Sequence, residues 1–227
     1  MSFDKGLFES DLITGSKLLQ LEHTDLQIQQ MVNFSAEFFK WNAVHNLSSI
    51  NSYAEYLGAH VMDSLAVVKP LLEKVHQGVL PHEPKLADLG VGGGFPGMLL
   101  AICLPHFDFY LVEAVKKKTA FLQHIKGCLK LNNVHVIDQR IEEFSKVAPY
   151  SMDATISRAF TELKNFVVYS TPLLKPRGVM FAMKSQKIKQ EIEALPKDCQ
   201  IIDAEELKIP YLDAYRCILT LQSMRKS

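Results

Sequence analysis

Ala87-Asp-Leu-Gly-Val-Gly-Gly-Gly-Phe-Pro-Gly97 gathers five of the chain's eleven glycines into the eight positions from Gly90 to Gly97. A short apolar approach, Lys85-Leu-Ala87, precedes it, and an apolar run, Met98-Leu-Leu-Ala-Ile-Cys-Leu104, follows. A strand, a loop stripped of side chains and a helix, in that order, aim backbone N–H groups into the crevice at the strand's carboxyl end. Glycine lets the chain turn sharply there and lets a ligand approach without interference from Cβ. A tight turn without a ligand is the simpler reading, but five glycines at one strand end exceed what a turn needs.

Outward from the loop, strand and helix signals alternate. Residues 85–89, 107–112 (FDFYLV), 134–137, 154–156 and 179–183 (VMFAM) read as strands, and 98–104, 117–131 and 163–174 read as helices. That alternation implies a parallel sheet with right-handed crossovers. The end departs from it. After a helix over 188–195, residues 200–207 and 216–221 read as an antiparallel strand pair joined through Pro210-Tyr-Leu-Asp213. Upstream, residues 1–80 read as helices. Thr24 and Gln27 can form a capping box, with Leu26, Met31, Phe34, Phe38 and Trp41 at helical spacing behind it. Another helix is predicted over 53–72, its stripe Leu57, Val61, Leu65 and Val68. The Pro/Gly-bearing stretch Gln77-Gly-Val-Leu-Pro-His-Glu-Pro84 reads as a linker. The expected organisation is an N-terminal helical extension, 1–80, and an α/β domain, 81–227.

Composition sets limits on the function. The chain has 227 residues, 48% of them hydrophobic and 22% charged, ordinary values for a globular protein. The start, MSFDKGLFESDL, lacks the apolar core of a secretory signal, and no apolar run approaches the roughly 18 residues of a membrane span. Four separated cysteines without a CxxC pair fit a reduced, cytoplasmic compartment. Eight scattered histidines without HxxxH spacing argue against a metal site. Net charge is zero, but residues 1–80 hold five lysines and nine acids, whereas 81–227 hold twenty Lys/Arg and sixteen acids. The basic bias of the second part permits an anionic partner without demanding one.

Two cofactor readings compete at the loop. Gly92, Gly94 and Gly97 satisfy GxGxxG, which alone is a weak dinucleotide signal. Glu113, ending the second strand, suits ribose hydroxyls under a dinucleotide or an S-adenosylmethionine reading. Asp88 decides between them: a carboxylate two residues before Gly90 is unwelcome beside a diphosphate and suits a ligand bearing an ammonium and a sulfonium. Asp88-Leu-Gly-Val-Gly-Gly-Gly94 then reads as the DxGxGxG loop of a methyltransferase.

At this point the chain resembles the RsmG (GidB) family, bacterial methyltransferases of small-subunit ribosomal RNA. The resemblance is carried by Trp41-Asn42, Asn46-Leu47, His60-Val-Met-Asp63-Ser64-Leu65, the GGFPG loop, Lys116-Lys-Lys-Thr-Ala-Phe-Leu122, Arg140-Ile-Glu-Glu-Phe144, Ile156-Ser-Arg-Ala-Phe160 and Ala182-Met-Lys184. It implies a Rossmann-like class I S-adenosylmethionine-dependent methyltransferase sheet with an antiparallel terminal strand pair. It implies methyl transfer to guanine N7 in 16S rRNA; the RNA is expected in the form of ribonucleoprotein and the protein as a monomer. Carried over by position, it implies cofactor contacts at Gly90, Phe95, Ile141, Glu142 and Arg158, beside Gly92 and Glu113 from the loop argument. His60 and Lys184 become candidates for the RNA. Two positions depart from the family pattern: Val91 replaces a hydroxyl residue, and Ala59 stands where a basic residue often precedes the histidine.

Each of these residues has a plainer reading. Phe95 and Ile141 suit a core, Glu142 and Glu143 a solvated helix start, and His60 with Asp63 a structural pair. Lys116–Lys118 open a helix, where cations oppose the dipole, which leaves room for a partner, but a solvated face is the default reading. Lys184, Lys187, Lys189 and Arg225-Lys226 are the further basic groups available to phosphates. Guanine N7 carries a free lone pair and no proton, so its methylation requires alignment and no general base. No catalytic base is therefore expected. A non-catalytic RNA-binding module on the same fold, an oxidoreductase, and a methyltransferase of another RNA, a small molecule or a protein are the competing readings.

Overall fold

The computed structural model describes residues 3–50, 52–158, 161–185 and 188–224, apart from the side chain of Ile188. Helices α1 (Lys5–Leu18) and α2 (Asp25–His45) lead into a broken helical run: α3 (Tyr53–Tyr56), a π-helical turn (Leu57–Met62), α4 (Asp63–Leu65) and α5 (Val68–His76). There follow β1 (Lys85–Leu89), α6 (Gly97–Cys103), β2 (Asp108–Glu113), α7 (Lys116–Leu129), β3 (Val134–Asp138), α8 (Ile141–Val147) and β4 (Met152–Arg158). The chain continues with α9 (Leu163–Ser170), β5 (Leu174–Lys184), α10 (Ile188–Glu193), β6 (Cys199–Glu206) and β7 (Cys217–Ser223).

Seven strands form one sheet in the order β3-β2-β1-β4-β5-β7-β6. β1 to β5 pair in parallel, and β7 runs antiparallel to both β5 and β6. The strand order reverses between β1 and β4, so a crevice opens at their carboxyl ends. Both faces are covered. Leu86, Phe109, Leu111, Phe181 and Met183 face a core shared with α1, α2, α6 and α7 through Phe8, Phe34, Phe38, Leu100 and Phe121. The alternate residues Ala87, Leu89, Val112, Met180 and Ala182 face Phe144 of α8 and Phe166 of α9. The core thus runs across the 77–84 linker without a break.

Thr24 caps α2 in a complete capping box with Gln27. Its buried face is Ile28, Met31, Val32, Phe34 and Phe38; Leu26 is exposed, one position off the stripe expected for it. The helix predicted over 53–72 is broken, although Leu57, Val61, Leu65 and Val68 are all buried as its stripe requires. Pro70 has no N–H to return to Ala66, so the chain tightens there, Val67 N–H to Ser64 O, before α5 starts. α9 stops at Ser170 rather than 174, because Pro172 follows and Leu174 already opens β5.

Candidate functional site

The parallel β1–β2 register sets Leu89 opposite Val112, and the N–H groups of Gly90 and Val91 both reach the Val112 carbonyl, at 2.9 and 3.3 Å. The loop then turns through left-handed conformations at Gly90 (φ 73°), Gly92 (61°) and Gly94 (99°). At Gly92 a Cβ would meet nothing closer than Gly90 O at 3.9 Å and Lys118 Nζ at 4.0 Å, so this position faces open space beside the loop. The Gly92 N–H donates to Glu113 Oε2 at 3.1 Å, while Glu113 Oε1 accepts from Ala114 and Val115 N–H at 3.0 and 2.9 Å. A carboxylate offers about four lone-pair sites. Those three N–H bonds leave acceptor capacity on Oε2, which Lys118 Nζ approaches only to 3.7 Å.

Asp88 lies beneath the loop, 1% exposed. Its Oδ2 accepts the N–H of Gly97, the first residue of α6, at 2.8 Å, and its Oδ1 is buried without a hydrogen-bond partner. Burial pushes its carboxyl up to about 7, against the pull of the Gly97 N–H and of Arg158. The carboxylate that favoured a cationic ligand in the sequence therefore first holds the loop to its helix, with one oxygen spare.

Arg158, ending β4, joins the loop to a second feature. Its guanidinium lies over the Phe95 ring, 5.6 Å from the centroid. It donates through Nη1 to the Ala59 carbonyl in the π-helical turn and lies 3.3 Å from Asp63 Oδ2. Arg216 Nε stands 3.3 Å from the other Asp63 oxygen. Burial raises the Asp63 carboxyl, and the two guanidiniums oppose that rise. Around them opens a cavity of about 860 Å³ at the carboxyl ends of β4 and β5, walled by His60, Asp63, Arg158, Lys184, Tyr215 and Arg216 among others. The His60 ring packs edge-on to Phe95 at 5.1 Å, its Nδ1 is buried without a partner, and burial followed by Arg158 lowers its pKa to about 3. It is a neutral imidazole. Among the described residues, the buried side-chain polar atoms without a hydrogen bond are His60 Nδ1, Asp63 Oδ1 and Asp88 Oδ1, all at this site, and of these Asp63 Oδ1 has the Arg216 guanidinium beside it.

The structure thus brings Gly90, Gly92 and Glu113 together at the loop, with Phe95, Arg158 and His60 beside the cavity. Phe95 is 4% exposed, packed in an aromatic cluster with Phe34, Phe38 and Tyr56. Ile141 packs in the core with Leu89 and Val112, and Glu142 is exposed in the first turn of α8. Lys184 reaches the cavity but donates to Glu191 at 2.6 Å and to the Thr161 carbonyl at 3.0 Å. The lysine run is held by partners: Lys116 by Asp138, Lys117 by the carbonyls of His45 and Asn46 at the end of α2, Lys118 by Glu113 at 3.7 Å. Lys189 is exposed. Ala159, Phe160, Lys187, Arg225 and Lys226 lie outside the described residues. Arg216 and Tyr215 escaped the sequence reading, since no motif surrounds them; their place depends on the β6–β7 connection returning to the sheet's carboxyl edge.

Comparison with known proteins places this geometry in a lineage. The sequence model of the GidB family, rRNA small subunit methyltransferase G, matches residues 27–219. The chain belongs to that family. Ribosomal RNA small subunit methyltransferase G of Polynucleobacter asymbioticus is 40% identical over 220 residues, covering 96% of this chain and 97% of its own. Its counterpart from Bordetella avium is 39% identical over 196 residues, 86% of this chain and 85% of its own. The fold is shared with solved methyltransferases at much lower identity. A SAM-dependent methyltransferase from Aquifex aeolicus superposes with a TM-score of 0.55 at 13% identity, over 78% of this chain and 97% of that one. TrmN from Thermus thermophilus gives 0.54 at 16%, over 69% and 48%. The sheet is that of the class I S-adenosylmethionine-dependent methyltransferases, as the loop and the terminal strand pair predicted. Among the described residues, no helix is long and apolar enough to cross a membrane.

Proposed function

We propose that this protein transfers a methyl group from S-adenosylmethionine to N7 of a guanine in small-subunit ribosomal RNA. The observation that carries the reading is the adjacency of two sites through Arg158: a glycine loop with spare acceptor capacity on Glu113 and an unpaired Asp88 oxygen, and a cavity whose histidine is held neutral. The loop residues fit the cofactor. Glu113 would take the ribose hydroxyls, Gly90 and Gly92 would bring backbone against it, and Ile141 with Glu142 would edge the adenine. The bound cofactor supplies an activated methyl group.

The chain's own residues align the acceptor. Of the three carboxylates in the cavity wall, Asp63 and Glu191 are bound to cationic side chains and Glu162 is exposed to solvent at the start of α9, while His60 is too weak a base to accept a proton near neutrality. That suits an acceptor that has no proton to lose. A neutral His60 also suits a ring that becomes cationic on methylation, because an imidazolium there would oppose the developing charge. Action as a monomer in the cytoplasm, on RNA presented by a ribosomal particle, completes the proposal.

Naked ribosomal RNA, transfer RNA and small ribosomal particles, supplied at equal guanosine concentration with tritiated S-adenosylmethionine, test it. Label entering ribosomal RNA or particles in preference to transfer RNA is expected. Equal labelling of all of them, or label appearing only in protein or small molecules, overturns the reading.

A further inference from the structure

Three charged side chains from separate segments meet in the cavity wall. Asp63 follows the π-helical turn, Arg158 ends β4, and Arg216 closes the connection between β6 and β7. The Asp63 side chain is only 4% exposed and stands 3.3 Å from each guanidinium. A carboxylate that deep needs counter-charge. One carboxylate between two guanidiniums leaves the cluster a positive charge in excess. Arg158 is committed to the Ala59 carbonyl, Asp63 and the Phe95 face. Arg216 is not: its Nε faces Asp63, its Nη1 donates to the Tyr215 carbonyl at 2.9 Å, and its Nη2 has no partner among the described residues. Lys184, the neighbouring cation, is occupied by Glu191.

We propose that Arg216 binds a phosphate of the RNA strand being methylated, and that Asp63 is the positioning residue that orients its guanidinium. The inference rests on the methyl-transfer reading above. A phosphate fits better than the base. The guanine ring gains positive charge at N7 during the reaction, so a free guanidinium at that edge would oppose it. A phosphate oxygen pair instead matches the planar fork of an arginine already fixed at Nε, and binds it bidentately. The segment carrying Arg216 is itself fastened. The Tyr211 hydroxyl donates to the Asp11 carbonyl of α1 at 3.1 Å, and the Tyr211 carbonyl passes close to Gly58 in the π-helical turn. The N-terminal helices therefore set where the guanidinium points.

Steady-state methylation of small ribosomal particles by wild type, Arg216→Gln, Arg216→Lys and Asp63→Asn tests this, with S-adenosylmethionine affinity measured by calorimetry on each. Arg216→Gln should raise the KM for particles about tenfold, as the loss of a charge-assisted contact implies, with kcat and cofactor affinity little changed. The slope of log affinity for particles against log salt should fall by about one. Arg216→Lys should restore the slope but not the KM, because it returns charge without the fork. Asp63→Asn should raise KM alone and add little on the Arg216→Gln background. An Arg216→Gln protein with unchanged KM and salt slope overturns the proposal. So does a fall in cofactor affinity that accounts for the KM, which would assign Arg216 to the cofactor's carboxylate. If wild type methylates no RNA, the functional reading fails; the salt slope of particle binding still judges Arg216 separately.

Discussion

At Gly92 the backbone N–H serves Glu113 and the missing Cβ leaves open space, so a single methyl group can separate loop geometry from ligand binding. Gly92→Ala places that methyl on the ligand side at a φ of 61°, with a conformational penalty of about 1 kcal/mol. Glu113→Gln keeps the shape and removes the charge. Both should weaken S-adenosylmethionine binding by about tenfold or more, since either a close approach or a charge-assisted hydrogen bond is lost; calorimetry showing wild-type affinity in both would contradict the assignment. His60 remains neutral far above its pKa of about 3. Single-turnover methyl transfer with saturating cofactor should therefore show no limb near about pH 6.5, where a histidine base of ordinary pKa would give one. Asp88 makes a different pH prediction. Unfolded it titrates at about 3.9; folded, at about 7. The folded protein holds a proton that the unfolded chain has released, so this contribution to stability is complete below the unfolded pKa and is lost as pH rises to about 7. His60 has the opposite sign, losing stability as pH falls from its ordinary value toward about 3, so the total masks each part. Asp88→Asn isolates one: relative to wild type it should gain in urea midpoint between pH 5 and pH 8, by at most about 1.4 kcal/mol per pH unit up to the folded pKa. An equal difference at both pH values would contradict the buried, raised carboxyl.

At the scale of elements, the π-helical turn is where the N-terminal helices meet the cavity. Gly58 lies in it, and a Cβ there would stand 2.7 Å from the Tyr211 carbonyl. Backbone cannot yield as a flexible side chain can, so Gly58→Ala must displace the 207–216 connection. It should lower stability by about 1–3 kcal/mol and impair RNA methylation more than cofactor binding; thermal melts with kinetics on both substrates check this, and a variant matching wild type in each would contradict it. This turn was also the least legible element in the sequence. The stripe Leu57, Val61, Leu65 and Val68 is continuous at helical spacing, and a widened turn leaves such periodicity almost intact. Only Pro70 signalled a break, and it marks α5 rather than the turn before it. The sheet was legible because both its faces are buried: a stretch such as VMFAM is apolar throughout, with Pro176 and Gly178 just ahead of it and Lys184 after it. The loop and Glu113 were legible for a related reason, since a glycine-rich strand end and an acidic strand end lie side by side in any parallel pair of this kind. The Asp63–Arg216 contact was not, because it joins residues separated by most of the chain and no local pattern requires it.

Over the whole molecule, charge is too evenly balanced for RNA to be held by bulk attraction, and much of the available base is already paired. Recognition then depends on a few placed groups and on the shape that presents one guanine to the cavity. The N-terminal helices belong to this arrangement: they bury the aromatic face of Phe34 and Phe38 against Phe95 and supply His60 and Asp63 to the cavity wall. The central claim is the identity of the methylated atom. Small ribosomal particles treated with the purified protein and labelled S-adenosylmethionine can be stripped to RNA, digested to nucleosides and separated against standards. The label should travel with 7-methylguanosine and map to a single position. Label in any other nucleoside, or spread over many guanosines, would contradict the account.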